Sequence, residues 1–221
     1  MRVSGAWCSL VLLTQVGCAL LSKSDPFVSR YFSPEVVAAP TTTRSNLSMS
    51  SRGAVDAEPL ELRLGRVNAA STIKDQIMFR SSVYEIGYYE GRRWTERPEA
   101  YVRRALGRAL FHRVGIRQIA YGSGTTLDVD VIAFEEVRGP PHVGRVDLDY
   151  SLVDHGLVLF TQSVAIERPI ANTKGDAVAD GIVEAVSMAL SEAVDRLADR
   201  VAVELRAESS TAPPDGTAAS Q

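Results

Sequence analysis

The chain has 221 residues, 45% of them hydrophobic and 23% charged, with a formal net charge of -3 and a pI near 5.7. That is a globular balance with length for one ordinary domain plus terminal extras, and it builds no basic field, which argues against nucleic acid as a partner. Both cysteines, Cys8 and Cys18, fall within the first eighteen residues, so the body beyond them has neither a disulfide framework nor a Cys-rich metal site.

The opening segment carries one positive charge, at Arg2, followed by a mostly apolar run from Ala6 to Val16. The run is too short to cross about 30 Å of hydrocarbon, which takes about 20 residues of helix. It matches the apolar stretch of a signal peptide. Val16-Gly17-Cys18 then resembles a lipoprotein signal, in which a small residue precedes a cysteine that is acylated and becomes the new N-terminus. Gln15 departs from the leucine usual in that motif. The expectation is a signal peptide over residues 1–17 and a lipid on Cys18. Multiple acyl chains would anchor stably, each buried methylene contributing about 0.8 kcal/mol. Ala19, in place of an aspartate, favours the outer membrane in the enteric sorting rule.

Residues 18–59 read as a lipid-anchored N-terminal segment. It holds a brief strand at Arg30-Tyr31-Phe32-Ser33 and a flexible insertion from Ala38 to Pro59, rich in Ala, Pro, Ser and Thr. The domain proper is expected over residues 60–206. Leu60, Leu62, Leu64 and Val67 alternate as a strand with a slip near Gly65. Met78 to Tyr89 forms one or two strands broken near Ser81-Ser82. Pro98, with Glu99 beside it, suits a helix first turn, and Val102, Ala105, Leu106, Ala109, Leu110 and Val114 keep the helical period up to a cap at Gly115. Three strands follow, one through Leu127 and Ala133, one through Val146 and Leu152, and one from Leu157 to Ile166. The last, almost continuously apolar, reads as a central strand, joined to its predecessor through a tight turn at Asp154-His155-Gly156. A long amphipathic helix then runs from about Asp176 to Arg206, with residues 207–221 as a disordered tail. The element order predicts a single α+β domain: an antiparallel or mixed β-sheet packed against two amphipathic helices.

Catalytic constellations are weak. His112, His142 and His155 lack metal-ligand spacing. Asp128-Val129-Asp130 and Asp147-Leu148-Asp149 imitate a metal motif, but residues two apart on a strand share a face. Each pair reads as a solvated face, with Arg138 and Arg145 to offset its charge. Ser71-Thr72-Ile73-Lys74 matches a Ser-x-x-Lys hydrolase motif without its companions. No residue is expected to be catalytic, to bind a cofactor or to hold a metal. The segment from Tyr84 to Trp94 is the least ordinary. Its tyrosines and Trp94 either alternate between core and surface or anchor a partner, since Tyr, Trp and Arg are enriched at interface hot spots.

Cys18, Arg30-Tyr31-Phe32, Phe79-Arg80, Tyr84-Glu85-Ile86, Tyr88-Tyr89 and Arg93-Trp94 running into Pro98 resemble, in that order, the ABC-type transport auxiliary lipoprotein family, relatives of paraquat-inducible protein C. Thr95-Glu96-Arg97 departs from the Ala-Glu-Pro expected there. The resemblance implies a non-enzymatic periplasmic lipoprotein. It would serve an ATP-driven lipid transporter, with an MCE-domain protein and an ABC permease/ATPase complex as partners, a membrane contact through the lipid anchor and a homo-oligomeric ring as a possible assembly. Tyr88, Tyr89, Arg93 and Trp94 are its signature or interface residues. Two other readings stay open: a structural or assembly lipoprotein of the outer membrane, and a periplasmic hydrolase using Ser71 and Lys74.

Overall fold

Residues 28–34, 59–122, 124–171 and 177–211, those described by the computed structural model, form eight strands and two helical stretches. In chain order these are β1 (Arg30–Phe32), β2 (Glu61–Ala69), β3 (Gln76–Ser82), β4 (Glu85–Trp94), α1 (Pro98–Gly107) continuing into a π-helical turn (Arg108–Val114), β5 (Arg117–Gln118), β6 (Thr126–Val137), β7 (Val143–Asp154), β8 (Leu157–Pro169) and α2 (Ala177–Thr211).

β6 holds the sheet together. Along one edge it pairs antiparallel with β7 from Thr126 to Val137. Its other edge is shared: β2 runs parallel to the first half, ending with Ala69 beside Val131, and β3 runs parallel from Glu135 onward. β4 folds back on β3, β1 lies parallel on β4, β5 on β2, and β8 closes the other edge on β7. The sheet is therefore mixed, and the expected α+β domain is what forms. The slip anticipated at Gly65 is a register shift between Leu64 and Val67. A Cβ at Gly65 would come within 2.2 Å of Asp128 Oδ1 and 2.6 Å of Thr126 Cγ2, so any larger residue would force those side chains to shift.

Both helices cover one face. α2 packs across β6, β7 and β8, while α1 packs on β2, β6 and α2. Ile182, Val186, Leu190, Leu197 and Val201 on α2 are fully buried against Val146, Leu148 and Leu152 on β7. Burying each such side chain is worth about 1.5–3 kcal/mol. α2 approaches β7 closely at Gly144, where a Cβ would come within 2.8 Å of the Val186 backbone nitrogen. The β7–β8 turn forms as expected: His155 (φ 47°) and Gly156 (φ 81°) both occupy the left-handed region, as a two-residue hairpin loop demands.

Two expectations change. β8 is an edge strand, bonded to β7 alone. Its apolar run is split: Leu157, Val158 and Leu159 project at the exposed hairpin end, and only Phe160, Val164 and Ile166 face inward with period two. Continuous apolarity here comes from an exposed tip added to one buried face. The final helix also continues to Thr211, beyond the expected end at Arg206. The leader with Cys18, nearly all of the Ala38–Pro59 segment and the tail past 211 lie outside the described residues. No helix among the described residues is long and apolar enough to cross a membrane.

Candidate functional site

The β3–β4 hairpin sets the site. Its two-residue turn, Val83-Tyr84, leaves both side chains almost fully in solvent, at 82% and 98% exposure. Behind the turn Phe79 faces Gly87 across the strand pair, and any Cβ at Gly87 would strike the Phe79 ring. That ring meets Tyr89 edge-on at 5.3 Å between centroids. The hairpin thereby lies against the second half of β6, where two consecutive acids, Glu135 and Glu136, are each only 1% exposed.

Consecutive strand residues point to opposite faces, so the two carboxylates serve different partners. Glu135 accepts from Arg80 Nε at 2.8 Å, while its other oxygen, Oε2, is buried with no hydrogen-bond partner. Glu136 is more fully engaged. Its Oε2 accepts from the Tyr89 hydroxyl at 2.7 Å and from Arg138 Nε at 3.2 Å, and its Oε1 lies 2.6 Å from His142 Nε2. Burial pushes the Tyr89 phenol above its ordinary value, against the pull of the Arg138 guanidinium, and Glu136 adds to the rise. Arg138 is also held upward. Burial works against its charge, but the Tyr89 hydroxyl and the Glu136 carboxylate outweigh it.

The outer layer of the site is cationic and aromatic. Arg138 lies over the Phe79 ring at 3.4 Å and the Tyr89 ring at 4.8 Å, and Arg92 lies 4.6 Å from Tyr89. Such contacts are worth about 0.5–2 kcal/mol each. Arg92 also has a buried Nη1 without a hydrogen-bond partner. The buried Glu136 carboxylate thus holds Tyr89 and Arg138 in place from beneath, while Glu135 meets Arg80 on the other face of the sheet.

The signature residues part company. Trp94 is a core residue, 2% exposed, set edge-on to Phe134 at 5.2 Å, so it cannot anchor a surface contact in this fold. Its Nε1 is buried without a partner. Tyr89 joins the Glu136 cluster. Tyr88 turns to the β2–β3 connection, donating to the Thr72 carbonyl at 2.7 Å beneath Lys74. Arg93 bonds Asp75 at 2.7 Å.

The weaker motifs come out as follows. Ser71 and Lys74 are exposed in the β2–β3 turn, and no hydrogen bond joins them. Asp128 binds Arg66, Asp130 lies 3.5 Å from Asn68, and Asp147 binds Arg145 at 3.1 Å. Arg138 serves Glu136 instead of these aspartates. Among the described residues no group of three or more His, Cys, Asp or Glu side chains could hold a metal. His112 lies beside a groove on the α1 side, His142 on Glu136, and His155 in the β7–β8 turn. Sequence reasoning did not single out Glu135, Glu136 or Arg92. The available signal was two adjacent acids where strand alternation calls for an apolar residue on one face.

A mixed sheet backed by two helices on one face defines an α+β domain, with a cation-and-aromatic cluster where the β3–β4 hairpin meets the buried Glu136. Its family is specific. The model of the ABC-type transport auxiliary lipoprotein component family matches residues 46–202, and the chain belongs to that family. The crystal structure of protein XCC0632 from Xanthomonas campestris aligns with a TM-score of 0.66 at 20% identity, over 82% of this chain and 100% of that one. A second crystal structure, of an uncharacterized protein, gives 0.53 at 14% identity over 64% and 92%. Hypothetical protein CT253 from Chlamydia trachomatis gives 0.48 at 7% identity over 67% and 99%. At these identities the first two likenesses establish a shared fold. No curated protein matches the chain.

Proposed function

We propose that this chain is a non-catalytic periplasmic lipoprotein, the auxiliary component of an MCE-type ABC lipid transport system. The family match over residues 46–202 carries the reading. In it, residues 1–17 are removed, Cys18 is acylated, and the body is tethered by its lipid, at the outer membrane by the Ala19 criterion. The hairpin surface around Tyr89, Arg92 and Arg138 is the docking face for the MCE-domain partner. ATP hydrolysis and lipid conduction belong to the permease and ATPase.

Purification from membranes in gentle detergent tests this directly. The expected result is recovery together with an MCE-domain protein and a permease; recovery alone refutes the partnership. Cys18→Ser tests the tether separately and is expected to release the protein into the soluble periplasmic fraction. Persistent membrane attachment with the leader uncleaved would show the leader itself to be the anchor.

A further inference from the structure

The opposite end of the domain carries a second feature that the docking reading does not use. Between α1 with its π-helical turn and the β2–β5 edge runs an open groove of about 540 Å³, within the range of about 300–1,000 Å³ typical of small-molecule sites. Leu64, Ala100 and Phe111 give it an apolar lining, and Arg103, Arg104, Arg108 and His112 give it a basic one. Arg103 is pinned across the groove by the Gly65 carbonyl at 2.7 Å, and Arg104 is paired with Glu96. The side chains of Arg108 and His112, four apart and both exposed, make neither a hydrogen bond nor an ion pair within the described residues.

Gly107 also lines this groove. It has ordinary helical angles, φ -56° and ψ -43°, and a Cβ there would meet nothing within 4 Å. Neither backbone nor packing therefore requires glycine, which inside a helix costs about 0.5–1 kcal/mol relative to alanine. What the absent side chain provides is an open floor. The helix changes to π-type at the next residue, a local form found frequently at functional sites.

We propose that this groove binds a phospholipid, with Arg108 and His112 donating to the phosphate and Leu64 and Phe111 lying along the hydrocarbon. The inference rests on the lipid-transport reading and names the lipid contact on this chain. Cations beside apolar surface at one concave site complement an anionic headgroup joined to a hydrocarbon chain, and either half of the groove alone would not.

A photo-crosslinking amino acid placed at position 111 of the full chain, in cells grown on radioactive phosphate, reports the contact. Irradiation is expected to label the protein, and digestion of the labelled band is expected to release an organic-soluble lipid product. Free phosphate would give no such product. Gly107→Leu and Arg108→Glu, each in that background, are expected to cut the label at least tenfold. The same crosslinker at position 84, on the exposed hairpin tip, is expected to give none. Three results overturn the proposal: no label at 111, equal label at 84, or label unchanged by Gly107→Leu. Co-purification with the transporter, scored on the same cells, separates the two ideas. A chain that keeps its partners but takes no label defeats the groove alone, and a chain without partners defeats the transport reading.

Discussion

Replacing Trp94 by alanine separates a packing role from a docking role, and the structure sets the size of the effect. The indole is 2% exposed, the largest of the fully buried side chains, and packs edge-on against Phe134 on the central strand. Removing a buried aromatic side chain costs about 3–5 kcal/mol, and the ring pair accounts for about 0.5–1.5 kcal/mol beyond area burial. For a domain of this size each kcal/mol moves the melting temperature by about 2–4 °C, so Trp94→Ala should melt roughly 6–20 °C lower. Trp94→Phe is the informative control. It keeps an aromatic ring against Phe134 and removes the indole Nε1, which is buried without a partner. An unsatisfied buried donor costs about 1–3 kcal/mol, which offsets much of the lost volume. Thermal melts followed by circular dichroism should therefore place Trp94→Phe within a few degrees of the parent, and Trp94→Ala far below it. An unchanged melt for Trp94→Ala would refute the core assignment. A Trp94→Phe as damaged as the alanine variant would show that the indole nitrogen makes a bond the packing account omits.

Glu136→Gln keeps the side-chain volume but removes the charge that Arg138 and Tyr89 address; it should cost about 1.5–3 kcal/mol, read as a lower urea midpoint at unchanged slope. Tyr89 and Tyr150 both have phenols raised above 10.0, first by burial. Between that value and the folded one the unfolded chain has released more protons, so stability is full below the unfolded value and falls as pH rises through the folded ones. Melts taken at increasing alkaline pH should show this decline, with Tyr89→Phe shallower; rising stability would contradict it. Gly144→Ala must push a methyl into the α2 backbone and should lose about 1–3 kcal/mol. Gly107→Ala, with open space around it, should instead gain about 0.5–1 kcal/mol; equal effects from the two glycines would invalidate the steric distinction.

Periodicity made most of the fold legible before any coordinates. The stripe on α2, the proline-started α1 and the alternating residues of β6 and β7 each follow from one side of an element being buried. The slip at Gly65 was visible for the same reason, since Leu64 and Val67 cannot alternate in phase. Three features were not legible. β8 looked central because periodicity cannot tell a doubly covered strand from a half-covered one whose exposed end happens to be apolar. The π-helical turn after Gly107 left no mark, because Ala109 and Leu110 satisfy either helical period. The sharing of one β6 edge between β2 and β3 depends on contacts far apart in sequence, which local pattern does not encode.

The candidate site follows a related rule. The conspicuous residue types were found where they stood together: Tyr88, Tyr89, Arg93 and Trp94 drew notice as a cluster. Their roles were not found, because each role is fixed by a partner on another strand. Tyr89 depends on Glu136, 47 positions later, and Arg93 on Asp75, 18 positions earlier. Trp94, the most conspicuous, proves to be the least accessible. The buried acids that organise the surface looked like ordinary polar positions, since a carboxylate reads as solvent-facing until its cation is known. A burial cost of several kcal/mol for an unpaired charge means that Glu136 can sit under this surface only with Arg138, His142 and Tyr89 around it, and Glu135 on the other face only with Arg80. The arginines are thus the counter-charges of the interior, and Arg138 also reaches the surface. A charge-reversing substitution at Arg138 would disturb the interior pairing and the surface at once, whereas Arg92, which touches Tyr89 but bonds neither glutamate, is the position at which the proposed docking is expected to change while the Glu136 cluster stays intact.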